Sequence, residues 1–160
     1  MTEAIEEISL YFHIPFCKRK CDYCHFYVIP EREDAKDVLL EGFRLELALY
    51  RHALKNKTAI SVYFGGGTPS LFGPARIAQV IEWIASYCQL LPTAEITLEA
   101  NPENSTQELM KAYAQAGVNR VSIGIQTLDK PLLNLLGRLH DPEIALQAIH
   151  ATHQAGLSNI

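Results

Sequence analysis

The chain has no excess of basic residues. Its 14 Lys and Arg stand against 18 Asp and Glu, a formal net charge of −4 at pH 7, which leaves no electrostatic footprint for nucleic-acid phosphates. It also lacks any run near the ~18 consecutive apolar residues that a membrane-spanning helix needs. The opening residues, Met1-Thr2-Glu3-Ala4-Ile5-Glu6-Glu7, are acidic and do not show the basic-then-apolar order of a secretory signal. Low-complexity stretches and internal linkers are missing as well. Cysteine is scarce, with four in the whole chain, and there are not the two separated pairs that structural zinc sites favour. These absences lead us to expect a cytoplasmic protein, where thiols stay reduced and clustered cysteines serve metal binding rather than disulfides.

With 160 residues, 48% of them hydrophobic and 20% charged, the chain is long enough for one globular core. Its most informative feature is Cys17-Lys18-Arg19-Lys20-Cys21-Asp22-Tyr23-Cys24, a CxxxCxxC run directly after a strand-like segment. Thiolates are the usual ligands of iron–sulfur clusters, and a complete protein cage supplies four. Only three are close together here. The fourth, Cys88, falls in a segment whose apolar residues (Ile77, Val80, Ile81, Ile84, Cys88) recur at helical spacing, so it reads as a core residue. A site short of one ligand can bind an exogenous molecule, by the logic that separates open catalytic metal sites from closed structural ones. Lys18, Arg19 and Lys20 favour the thiolate forms. The plainer alternatives are a zinc site of Cys17, Cys21, Cys24 and His25, or three uncommitted thiols.

Strand-like and helix-like segments alternate, which predicts βαβ units around a parallel sheet. Strands are expected near Ile8–Ile14, Ile60–Phe64, Glu95–Ala100 and Arg120–Ile125. Leu39, Phe43, Leu47, Tyr50 and Leu54 predict one helical stripe, and the run from Ile77 to Cys88 predicts another, opened by Gly73-Pro74. Ser105 and Glu108 read as a capping box ahead of Leu109, with Gly117 as the stop. Asp141-Pro142 is expected to start the last helix and Gly156 to end it.

Each predicted strand has one apolar face, because side chains alternate with period two. That face reads Ile8, Leu10, Phe12, Ile14; Ile60, Val62, Phe64; Ile96, Leu98, Ala100; and Val121, Ile123, Ile125. The other reads Ser9, Tyr11, His13; Ser61, Tyr63; Thr97, Glu99, Asn101; and Ser122, Gly124, Gln126. A parallel sheet covered on both sides would be apolar on both. One polar face predicts a lumen, with helices only outside, hence an α/β partial parallel (β/α) barrel whose functional groups gather at the C-terminal ends of its strands. A two-layer sheet with one solvated face is the simpler alternative.

Those strand ends carry a family resemblance. Leu10-Tyr-Phe-His-Ile-Pro-Phe-Cys17 through Cys24, then Phe64-Gly65-Gly66-Gly67-Thr68-Pro69-Ser70, Leu98-Glu99-Ala-Asn-Pro102 and Ser122-Ile-Gly-Ile-Gln126, resemble the radical S-adenosylmethionine (radical SAM) superfamily. Within it they are similar to the group of oxygen-independent coproporphyrinogen III oxidases and HemW-type heme chaperones. On this resemblance residues 1–160 form the N-terminal portion of a radical SAM core domain, incomplete at the C-terminus. It implies a [4Fe-4S] cluster on Cys17, Cys21 and Cys24, with the remaining iron binding SAM. An electron from a donor such as flavodoxin or ferredoxin would then cleave SAM to a 5′-deoxyadenosyl radical. It further implies SAM contacts at Tyr11, Tyr23, Gly66, Gly67, Thr68, Glu99, Gln126 and Arg138. Taken singly, Tyr11 also reads as wall packing, Gln126 as a solvated residue and Arg138 as a helix-end charge.

Two departures from the oxidase pattern guide the expectation of function. Oxidases typically carry another cysteine two residues after the third, where this chain has Phe26, so the resemblance is closer to the heme-chaperone branch, with heme as a further ligand and heme or a porphyrinogen as partner. His25 stands where that branch often has aspartate and receives no role. The second departure is length. Four predicted strands do not close a barrel, so the last is expected to present an unpaired edge, in a truncated or excised piece or in a chain that completes its sheet by homo-oligomerising.

Overall fold

The computed structural model describes residues 6–160, so the opening segment 1–5 lies outside the described residues. In chain order the elements are β1 (Glu6–Ile14), β2 (Phe16–Cys17), β3 (Ile29–Pro30), α1 (Glu33–Leu49), α2 (Arg51–Leu54), β4 (Lys57–Gly66), α3 (Pro74–Tyr87), β5 (Gln89–Ala100), α4 (Gln107–Gln115), β6 (Arg120–Ile123), α5 (Lys130–Leu135) and α6 (Pro142–Gln154). Four strands form one sheet in the order β1-β4-β5-β6, every pair parallel. This is the expected α/β half-barrel.

The apolar strand faces make the core. Phe12, Ile14, Val62, Phe64, Leu98 and Val121 pack against Phe43 and Leu47 of α1, Ile77, Val80 and Ile84 of α3, and Met110 and Tyr113 of α4. Cys88 is buried in the same cluster, as expected. The helices are bound to one another by charge: Arg76 of α3 reaches Glu33 at 3.0 Å and Asp37 at 2.8 Å on α1.

The structure departs from the sequence expectation in four places. A register shift between Ala59 and Ser61 puts Ala59, not Ile60, on the core face: Ala59 is fully buried, and Ile60 is absent from the core cluster. A bulge adds one residue to a strand, so alternation read through it changes sides. The stripe Leu39–Leu54 is two helices, because Tyr50 adopts φ −85°, ψ 5° and closes α1. The α4 cap is Thr106, whose hydroxyl accepts from Leu109 N at 3.3 Å, while Ser105 donates instead to Asn101 O. Finally, β6 stops at Ile123, so Ile125 belongs to the loop. Asp141 caps α6 through Ile144 N at 2.9 Å, with Pro142 in its first turn and Gly156 following it.

The outer edge of β6 is not wholly bare. Val121 N donates to Asn159 O at 3.0 Å, and Asn159 bridges Arg120 in the parallel sense, so part of that edge is paired.

Candidate functional site

The cysteine loop is closed at its base and tied at its tip. After β1 the chain turns through Pro15 into β2, which pairs with β3, and Glu31 N donates to Cys17 O at 3.1 Å. Cys24 N donates to Cys21 O at 3.0 Å, and Asp22 N reaches Leu136 O at 3.3 Å, beyond α5. The loop is thereby held from two distant parts of the chain.

Beneath it runs the glycine loop that leaves β4. Gly67 N donates to Ile14 O at 2.8 Å and Thr68 N to Phe16 O at 2.7 Å. A Cβ on Gly67 would lie 2.6 Å from Phe16 O, so only glycine lets these two backbones meet. Tyr113 fixes the far side of the loop: its fully buried hydroxyl donates to Ser70 O at 2.9 Å and accepts from Gly73 N at 3.1 Å. The result delivers the buried Thr68 hydroxyl to 3.5 Å from Cys17 Sγ.

β5, β6 and the segment after α5 supply the opposite wall. Glu99 Oε1 accepts from the Tyr63 hydroxyl at 2.7 Å and Oε2 from Gly66 N at 3.1 Å. Partial burial and the bond to Glu99 push the Tyr63 phenol up to about 12, so it stays a donor at neutral pH. Past β6, Ile125 N bonds to Ile123 O and Thr127 N to Ile125 O, both at 2.9 Å. This pair of tight turns leaves Gln126 at φ 70°, a left-handed conformation that non-glycine residues adopt at a cost and that clusters at functional sites. Arg138 spends its guanidinium inward: Nη1 reaches Cys21 Sγ at 3.4 Å, and Nη2 reaches Asn101 Oδ1 at 2.7 Å and Gly124 O at 2.5 Å.

These elements enclose a cavity of about 290 Å³. Cys17, Cys21, Cys24, Tyr23, Gly67, Thr68, Glu99, Gln126 and Arg138 line it, and so do Phe26 and Asn101. Two residues singled out from sequence are not on its wall. Gly66 is turned to Glu99 through its N–H, and Tyr11 lies further down the lumen face, stacked on Tyr63 at 6.0 Å and bonded to His13 Nδ1 at 3.0 Å. His25 is exposed and off the cavity wall. Sequence reasoning gave no role to Tyr63 or Asn101. Period-two alternation had placed both on the polar face, but nothing in it separates them from Ser61 or Thr97 beside them.

The donor set suits an iron–sulfur cluster. Among the described residues no three His, Cys, Asp or Glu side chains converge on one metal-ion position. The three thiols line one shared cavity, the donor type that holds iron–sulfur clusters. Burial pushes the Cys17 thiol up, while the Thr68 hydroxyl and the Arg138 charge pull it down. Among the described residues Arg138 Nε is buried with no hydrogen-bond partner.

A parallel half-barrel gathers three thiols, a glycine loop and a carboxylate around one cavity at the C-terminal ends of its strands. The Radical SAM superfamily profile matches residues 11–160, and the chain belongs to that superfamily. It is 40% identical over 143 residues to the "Radical S-adenosyl methionine domain-containing protein 1, mitochondrial" of Danio rerio, covering 89% of this chain and 32% of that protein. It is 35% identical over 157 residues to the "Heme chaperone HemW" of Haemophilus influenzae, covering 95% of this chain and 41% of the relative. Among solved structures it superposes on the radical SAM coproporphyrinogen III oxidase HemN of Escherichia coli with a TM-score of 0.87 at 26% identity, over 96% of this chain and 36% of that one. The chain therefore spans well under half the length of these relatives. No described helix is long and apolar enough to cross a membrane.

Proposed function

We propose that residues 1–160 are the N-terminal portion of a radical SAM core acting in heme or porphyrin metabolism, as a HemW-like heme-handling protein. Cys17, Cys21 and Cys24 would hold a [4Fe-4S] cluster, which when bound supplies the one-electron reduction that cleaves SAM. The chain's own groups bind and orient. Gly67 and Thr68 bring backbone close to the ligand, Glu99 presents a carboxylate fixed by two donors, and Tyr23, Gln126 and Arg138 close the remaining walls. Tyr11 and Gly66 act from just behind, through Tyr63 and Glu99. A protein donor such as flavodoxin or ferredoxin would supply the electron, and heme or a porphyrinogen would be the partner molecule. The observation that carries this reading is the meeting of the thiols, the glycine loop and Glu99 on one cavity.

Phe26 favours heme handling over decarboxylation: it lines the cavity where the oxidase pattern has a further cysteine, and it is 66% exposed. The close superposition on an oxidase supports the second reading, oxidative decarboxylation of coproporphyrinogen. The test is anaerobic reconstitution with iron and sulfide, then electron paramagnetic resonance of the reduced protein with and without SAM, beside a Cys21→Ala control. A reduced-cluster signal that shifts with SAM and is lost in the control supports the cofactor reading, and a wild-type protein that takes up no iron ends it. Stoichiometric heme binding without release of CO2 from coproporphyrinogen supports the chaperone reading; CO2 release supports the oxidase.

A further inference from the structure

Two of the three cavity thiols make hydrogen bonds, and the partners of both are bonded to one side chain. Arg138 has no acceptor atom, so the Asn101 atom 2.7 Å from its Nη2 must be the amide oxygen. The amide nitrogen then faces Thr68 Oγ1 at 3.1 Å and can only donate to it. The Thr68 hydroxyl keeps its own proton, and toward a cluster thiolate, which has none, it can only donate across the 3.5 Å to Cys17 Sγ. On the other limb, the guanidinium held by Asn101 and by Gly124 O sets Nη1 on Cys21 Sγ at 3.4 Å. The chain Cys17–Thr68–Asn101–Arg138–Cys21 is continuous, and its middle is buried or half-buried.

The geometry points to Asn101 as a positioning residue that orients a hydrogen-bond donor onto each of two cluster thiolates and so sets the cluster's reduction potential; this rests on the cluster assignment proposed above. Donors to cluster sulfur stabilise the electron-richer state, and hydrogen bonding to the sulfurs is among the determinants of potential in such centres. The step concerned is the uptake of one electron by the cluster from an external reductant, with no bond made or broken in the protein. Asn101 touches neither sulfur. It acts by fixing which way Thr68 and Arg138 point.

The test is potentiometric titration with dithionite of the reconstituted protein, read by electron paramagnetic resonance, for wild type, Asn101→Ala and Thr68→Val. Asn101→Ala takes the Asn101 support from both limbs, leaving Arg138 held by Gly124 O alone, and Thr68→Val removes only the donor to Cys17 in a side chain of the same shape. Both midpoints should move to more negative values. The Asn101→Ala shift should be the larger, about tenfold in the one-electron equilibrium or ~59 mV. Iron and sulfide content report separately on the cluster. A wild type without iron sinks the functional reading, whereas variants with full iron and unmoved midpoints overturn this inference. Should Asn101→Ala fail to fold, Asn101→Ser, whose short side chain spans neither contact, is titrated in its place, and full iron with an unmoved midpoint overturns the inference. A fall in Thr68→Val with none in a folded Asn101→Ala removes Asn101 as the pivot.

Discussion

The Tyr63 hydroxyl donates to Glu99 Oε1 at 2.7 Å across the lumen face of the half-barrel. Tyr63 pairs in register with Thr97, so its ring leans along the sheet to the diagonal neighbour two residues on, a reach open to aromatic side chains. The contact leaves Glu99 with two donors, one side chain and one backbone, and orients the carboxylate before any ligand arrives.

Tyr63→Phe should therefore weaken SAM binding while leaving the fold intact. Loss of one hydrogen bond to a charged group is worth about 1.5–3 kcal/mol, a fall in affinity of roughly ten- to a hundredfold. Calorimetric titration of the reconstituted protein with SAM measures it; an unchanged Kd with normal iron content would show that Glu99 does not need Tyr63.

The four cysteines should separate cleanly. Alanine at Cys17, Cys21 or Cys24 is expected to abolish the reduced-cluster signal and lower bound iron. Cys88→Ala should keep both and cost about 1 kcal/mol, as for removal of a small buried group from a packed core, since Cys88 lies in the core with its thiol on Ile84 O at 3.5 Å. Iron content of the four variants, with urea unfolding of the last, checks the division.

Tyr113→Phe should destabilise the protein by about 1–3 kcal/mol, because Gly73 N and Ser70 O would be left in the interior without their shared partner. Burial holds this phenol well above the ordinary tyrosine range, so it remains a donor across the working pH. The denaturant midpoint is the readout, and a change below about 0.5 kcal/mol would mean that water replaces the hydroxyl.

His140 gives a pH dependence with a definite sign. Burial, followed by the nearby Arg138 charge, lowers its pKa below the ordinary 6.5, against the opposing pull of Glu103. The unfolded chain therefore binds a proton at a higher pH than the folded one. The stability tied to His140 is present above about pH 6.5, falls as pH drops from there through the folded value, and levels off below it. Urea unfolding at pH 7.5 and 5.5 should show a larger loss in wild type than in His140→Gln; equal losses would count against the buried neutral ring.

Much of the site was legible because its signals are local. CxxxCxxC brings three thiols into one loop whatever the rest of the chain does, and Gly65-Gly66-Gly67 marks a backbone approach that side chains would block. Alternation separated a core face from a lumen face on each strand, until one inserted residue near Ile60 moved the pattern to Ala59. Helix ends were harder. Thr106 rather than Ser105 caps α4, its hydroxyl accepting from Leu109 N while that of Ser105 turns to donate to Asn101 O, and Tyr50 ends α1 inside a stripe that kept its apolar period.

Composition, cysteine spacing and strand alternation by themselves determined alternating strands and helices, one apolar and one polar face on each strand, and three thiols in one loop, since each depends on neighbours a few positions apart. Which side chains touch was decided only by the tertiary structure. Tyr63 meets Glu99 through the register of β4 on β5, and Asn101 bridges Thr68 and Arg138 because two strand ends and the loop after α5 converge there. A hydrogen bond requires atoms about 3 Å apart, and no local pattern in a sequence sets a distance between segments so far apart along the chain.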